Sequence, residues 1–350
     1  MELKNIENHI RTLATLNSNY SPLISCYLNL EKGKKGYRSY LKDRTRLLQS
    51  SQKGLPHVEE EFEDALNKVE SFIKKKLLPE TKGVAIFSRG EPEPFFLPLQ
   101  FRVPLPNSMT VDMTPNIYHL VELKDVYHRY VVLIASEENA RILEVNLGEV
   151  TSTLWLENQN LLDRVKQIWS KEHYQHHRHE QTNKFIKEKI KVLDQLMSQG
   201  GYSHLILVGN PKMTARIKKS LPKHLSEKLI ETLAVSTKAK LESIVETTLS
   251  MFIRQEQQDS LSVVELLKQY INTEGPAVIG TQACREAIER GQADMLILSK
   301  ELEYLHDRDE LVKLAVKHKC RIETVSDSFT LMQYGGVGCL LRYRLPDQMG

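Results

Sequence analysis

The sequence predicts a multi-part α/β protein, and three observations carry that expectation. Short apolar runs such as LISCYLNL, YVVLIAS and HLILVG alternate with long amphipathic stretches, the pattern of sheets covered by helices. With 350 residues the chain is too long for one ordinary core and suits two or three domains. Hydrophobic residues make up 41% and charged residues 27%, a composition that folds rather than stays disordered.

The elements follow in order. LISCYLNL (Leu23–Leu30) reads as a strand ending in the turn-forming EKGKKG. HVEEEFEDALNKVESFIKKKL places Val58, Phe62, Leu66, Val69, Ile73 and Leu77 at helical spacing. Its acids crowd the front and Lys74–Lys76 the back, which suits the helix dipole. GVAIFS and PFFLPLQF read as strands, and VPLPNSMTVDMTP as a Pro-punctuated loop. Residues 1–127 form the first expected domain, a mixed-sheet α/β unit. YVVLIAS and ARILEVN form a hairpin that opens a second sheet. A long helix follows, with Ile186, Ile190, Leu193 and Met197 as its apolar stripe, widened by Phe185 and Leu196. Gly200-Gly201 ends it. HLILVGNP is a buried strand, KMTARIKKSL a helix and LIETLAV a further strand. KLESIVETTLSMFIRQEQQDSL is a long helix whose polar end, RQEQQDS, closes a second domain at 128–257. Residues 258–350 form the third: helices VVELLKQYI, TQACREAIERG and ELVKLAVKHK alternate with strands MLILS, RIETVS and CLLRYRL, an α/β/α sandwich.

No apolar run reaches the ~18–20 residues of a membrane helix. The opening MELKNIENHIRTL carries acids and polar residues where a signal peptide carries an apolar stretch. A cytoplasmic protein with no membrane partner is expected. The cysteines Cys26, Cys284, Cys320 and Cys339 stand singly, against a disulfide framework or a cysteine zinc site. No cofactor and no metal are expected. Net charge is +3, but its distribution is uneven. EKGKKGYRSYLKDRTR carries Lys32, Lys34, Lys35, Arg38, Lys42, Arg44 and Arg46, with Tyr37 and Tyr40 interleaved. Cations beside ring faces fit phosphate contact plus base stacking, in competition with an ordinary solvated face. Lys212, Arg216, Lys218, Lys219 and Lys223 make a second patch without an acid, read chiefly as an exposed helix face.

The segment HYQHHRHE holds His173, His176, His177, Arg178 and His179, followed by Lys184, Lys187 and Lys191 on one helical face. His173 with His176 or His177 has a chelating spacing, but no third ligand can be named nearby; His204, His224, His306 and His318 stand isolated. Acid–base chemistry needs an oriented partner, and only Glu172 and Glu180 lie close in sequence. RNA contact through stacking and phosphate binding weighs equally with a solvated helix start.

VIGTQACREAIERGQADMLILS and RIETVSDSFTLMQYGGVGCLLRY together resemble the C-terminal domain of the class-1 release-factor/Pelota superfamily, down to the closing Gly335-Gly336-Val337-Gly338-Cys339-Leu340-Leu341-Arg342-Tyr343. Those glycines fit a turn at positive φ and a close strand–helix approach. IWSKEHYQHHRHEQTNKFIKEKIKVLDQL…HLILVG is similar to the middle domain of the bacterial branch, and YSPLISCYLNL with its basic helix to the first domain. The best resemblance is to bacterial homologues lacking the Gly-Gly-Gln motif, the Balon-type ribosome hibernation factors. It implies an RNase H-like middle domain, a first domain facing the decoding region, ribosomal RNA and the A site as partners, and elongation factor Tu as a candidate GTPase partner. The expected role is hibernation, stress protection or rescue. The departure is equally informative. No glycine lies between Gly148 and Gly200, and Ile168 and Trp169 stand where the family's glycine pair would fall. Peptidyl-tRNA hydrolysis is therefore not expected; the competing reading is a release-type or RNA-cleaving enzyme using His173–Glu180.

Overall fold

The computed structural model describes residues 3–16, 21–31, 33–52, 56–137, 139–157, 171–199, 201–235, 239–302, 306–326 and 329–343. It is a mixed α/β protein with three sheets. Two compact units emerge, residues 1–126 with 257–350, and residues 127–256. The first and third expected segments thus share one unit, each keeping its own sheet.

In the discontinuous unit, α1 (Leu3–Thr15) precedes β1 (Leu23–Asn29), α2 (Gly33–Gln52), α3 (Pro56–Lys75), β2 (Gly83–Arg89), β3 (Phe95–Phe101), β4 (Ser108–Asp112) and α4 (Tyr118–Val126). The strands run in the order β3-β2-β1-β4, every pair antiparallel. Phe62, Leu66, Val69 and Ile73 bury the α3 stripe against Ile24, Leu28, Val84 and Ile86. The segment expected as a loop contains β4: Leu23 pairs with Asp112 and Tyr27 with Ser108. Long-range pairing with β1 overrides the Pro-rich flanks.

Its later elements are β10 (Ala277–Ile279), α9 (Thr281–Glu289), β11 (Ala293–Ser299), a short 3-10 turn at Lys300–Leu302, α10 (His306–Lys317), β12 (Arg321–Val325), α11 (Phe329–Gln333) and β13 (Val337–Leu341). The order is β10-β13-β11-β12, with β11 and β12 parallel and β13 antiparallel to its neighbours. Gly335 and Gly336 take φ of 77° and 72°, and a Cβ on Gly338 would come within 2.5 Å of the Leu267 side chain. The glycine-rich closing motif therefore makes the turn and the close helix approach expected of it. Buried polar contacts join the unit's two halves. Asp125 accepts from the Thr324 backbone N–H at 2.8 Å and its hydroxyl at 2.7 Å. Asn116 donates to Asp309 at 2.6 Å, and the Arg308 guanidinium lies 3.6 Å above the Tyr118 ring.

The continuous unit holds β5 (Tyr130–Ala135), β6 (Asn139–Asn146), β7 (Glu149–Glu157), α5 (Lys171–Ser198), β8 (His204–Gly209), α6 (Pro211–Ser220), α7 (Lys223–Ser226) and β9 (Leu229–Ala234). Its sheet runs β7-β6-β5-β8-β9: three antiparallel strands followed by two parallel additions. This is the expected RNase H-like arrangement. Ile186, Ile190, Leu193 and Met197 all face the core from α5; the second face of the sheet is covered by Ile244 and Phe252. Those two residues lie on α8 (Leu241–Asn272), one uninterrupted helix of 32 residues. The two units divide between Glu256 and Gln257, inside RQEQQDS, while the helix itself runs on to Asn272, because Arg, Glu and Gln are good helix formers and no Gly or Pro interrupts them. Gly200 and the residues flanking Trp169 lie outside the described set. Among the described residues, no helix is long and apolar enough to cross a membrane.

Candidate functional site

α2 sorts its cations by face. Tyr37 and Leu41 enter the core at 4% and 8% exposure, and Arg44 turns its Nε onto the Met109 carbonyl at 3.0 Å. Tyr37 is therefore a packing residue rather than a stacking platform: the helical period places it with Leu41. Arg44 is half-buried and satisfied by backbone. Arg38, Lys42 and Arg46 remain exposed, spaced i, i+4, i+8, so their Cα atoms climb one face in steps of about 6 Å. They line a cleft of about 820 Å³ together with residues of α3, among them Glu63, Glu70 and Lys74. Lys74 is held by Glu70 at 2.6 Å, which leaves the α2 row as the main positive edge of the cleft. Lys34 and Lys35 lie in the same helix, their side chains outside the described set, as is Lys32 altogether.

α5 is the second basic element. Lys184, Lys187 and Lys191 are exposed, as are Lys212, Lys218 and Lys219 of α6. Arg216 of α6 donates to Asn183 of α5 at 2.9 Å, which ties the two basic helices side by side. His173, His176, His177, Arg178 and His179 fall within the first turns of α5, and their side chains lie outside the described set. The geometry therefore keeps two separate rows of outward cations, one in each unit.

Two features escaped the sequence reading. Lys189 is fully buried, with its Nζ 3.2 Å from the Ser136 carbonyl and 3.5 Å from the centre of the Phe185 ring. Burial pulls its pKa down from 10.5 to about 7. Its place on the apolar stripe, three after Ile186 and four before Leu193, was the available signal. The second is a meeting of His128, His204 and Glu256, the one group among the described residues whose His, Cys, Asp and Glu side chains converge closely enough to hold a metal. His204 is not isolated; the fold brings it to partners 76 and 52 residues away in the chain.

Residues 115–252 match the family described as bacterial archaeo-eukaryotic release factor family 10. No curated protein matches the sequence. Among solved structures the chain is similar to archaeal Pelota in a ribosome-bound assembly with ABCE1, at 13% identity and a TM-score of 0.46, covering 98% of this chain and 94% of that one. It is also similar to Dom34 of S. cerevisiae, a translation termination-like factor, at 16% identity and a TM-score of 0.44, covering 75% and 81%. For Pelota of Archaeoglobus fulgidus the values are 14%, 0.37, 75% and 80%.

Proposed function

We propose that this protein is a ribosome-binding translation factor that occupies the A site without hydrolysing peptidyl-tRNA. The observation that carries the reading is the release-factor family match over residues 115–252, in a chain with no glycine between Gly148 and Gly200. Hydrolysis in the resembling factors depends on a glycine pair whose backbone freedom other residues lack, so binding without chemistry is the function that remains. Arg38, Lys42 and Arg46 of α2 and Lys184, Lys187 and Lys191 of α5 are the contacts to ribosomal phosphates. Such binding is electrostatic and weakens steeply with salt. The physiological setting is hibernation, stress protection or rescue of a stalled ribosome, with a translational GTPase such as elongation factor Tu as a candidate companion.

Sucrose-gradient cosedimentation of the purified chain with ribosomes, over a series of salt concentrations, tests the reading. Comigration at low salt that fades as salt rises is expected, with no release of peptide from peptidyl-tRNA. Absence from the ribosomal fractions at low salt would overturn it. Peptide release abolished by His176→Ala with His177→Ala would replace it with the enzymatic reading of the His173–Glu180 segment.

A further inference from the structure

We propose that His128, His204, Glu256 and Ser203 form a binding site for a divalent transition metal of the zinc class. The candidate ligand atoms of His128, His204 and Glu256 all lie within 4.8 Å of one another. Glu256 Oε1 lies 3.4 Å from His128 Nε2 and 3.1 Å from His204 Nδ1. Ser203 Oγ lies 2.7 Å from each of those same nitrogens. In a tetrahedral site with bonds of about 2.0–2.1 Å, neighbouring ligand atoms sit roughly 3.3 Å apart. The two histidine–carboxylate separations already fall near that edge length, and a small outward movement of the serine would complete it.

The geometry argues against the other chemistry these residue types could perform. In a nucleophile–histidine–carboxylate relay, serine and carboxylate occupy opposite nitrogens of one imidazole, so that a proton taken at one is balanced at the other. Here Ser203 and Glu256 both address Nε2 of His128 and both address Nδ1 of His204. Lone pairs converging on one centre serve a cation better than a proton relay. Two imidazoles with one carboxylate are a donor set of intermediate softness, suited to zinc, cobalt or nickel rather than calcium or magnesium.

The ligands also stand on rigid supports, which lowers the ordering cost of binding. Tyr130 of β5 is paired in parallel register with His204 at the start of β8, and His128 stands two residues before that strand. Glu256 comes from α8. Phe252, one turn earlier on α8, meets the His128 ring at 5.1 Å and the His204 ring at 5.5 Å, both edge to face. The same phenyl stacks on Tyr130 at 4.5 Å, so both imidazoles are wedged against a fixed aromatic pair. The site is still reachable, with 28% of the His128 side chain exposed.

The test uses the full chain, stripped with a chelator and titrated with Co(II) and then Zn(II). The His173–His179 segment could chelate on its own, so a variant with His173, His176, His177 and His179 all replaced by alanine is titrated beside wild type, His204→Ala and Glu256→Gln. Expected are one tight Co(II) with the visible absorption of a tetrahedral centre, displaced by Zn(II), and a rise in Tm with Zn(II). Both should persist in the four-histidine variant. His204→Ala and Glu256→Gln should weaken binding by at least about 10–100-fold. No tight equivalent in wild type would overturn the proposal, as would a tight site lost with the four histidines and kept in Glu256→Gln. Should His204→Ala fail to fold, the near-isosteric Glu256→Gln and the Zn(II)-dependent Tm of the four-histidine variant together decide the question.

Discussion

Replacing Lys189 with methionine should alter how stability depends on pH. The side chain is fully buried and burial lowers its pKa from 10.5 to about 7. The unfolded chain keeps the ordinary value, so above pH 7 it holds a proton that the folded chain has given up. Folded stability therefore rises with pH from about 7 toward 10.5, with a limiting slope of about 1.36 kcal/mol per pH unit. Half-protonated at its folded pKa, the group should add about 2 kcal/mol between pH 7 and pH 9. The methionine variant, similar in length and uncharged, should lack that increment. It should also be no less stable than wild type at pH 7, where loss of the donor to Ser136 is offset by removing a buried charge. Urea unfolding of both proteins at the two pH values, at constant ionic strength, measures the difference of differences. Parallel pH responses within about 0.5 kcal/mol would show that the ammonium is better solvated than its burial implies.

Three further outcomes are expected. Burial, and then the Glu323 carboxylate, push Asp125 well above the usual carboxylate range, so its contribution is full below the unfolded pKa and is lost as pH rises through the raised folded value. Asp125→Asn, which can still accept from Thr324, should match wild type near pH 4 and exceed it near pH 7.5 by about 1–3 kcal/mol, read as several degrees of Tm. Gly209→Ala should lower stability by about 3 kcal/mol or more, because φ is 147° and the new Cβ would lie 2.1 Å from the Ala135 carbonyl; chemical denaturation checks it. Changing Arg38, Lys42 and Arg46 together to glutamine should leave the fold unchanged by circular dichroism and reduce the salt slope of ribosome binding by about 2, at roughly 0.7 per phosphate contact to single-stranded RNA.

What was legible in the sequence is what periodicity reports. Ile186, Ile190, Leu193 and Met197 announced the buried face of α5, and LISCYLNL, YVVLIAS and HLILVG announced central strands, because each burial pattern repeats within a few residues. β4 and β10 were not legible: they are five and three residues long, and their pairing partners lie far away in the chain. The interleaved tyrosines of α2 looked like stacking rings until the helix phase put Tyr37 beside Leu41 in the core. Polar sequence at RQEQQDS marked where one unit gives way to the other, but not that the same helix continues to Asn272, since its exposed residues repeat no apolar period across the junction. His128, His204 and Glu256 carry no shared local pattern, since only the β5–β8 register and the middle of α8 bring them together.

The discontinuity of one unit has a consequence for how the chain is made. Residues 127–256 are complete in themselves, so they can reach their native arrangement as soon as that stretch leaves the ribosome during synthesis. The first 126 residues hold their own sheet and core but complete their contacts only later, because Asn116 and Asp125 bind partners at Asp309 and Thr324. The earliest part of the polypeptide to be synthesised is thus among the last to be finished, and an early stop after residue 256 should leave a folded middle behind an unsealed beginning.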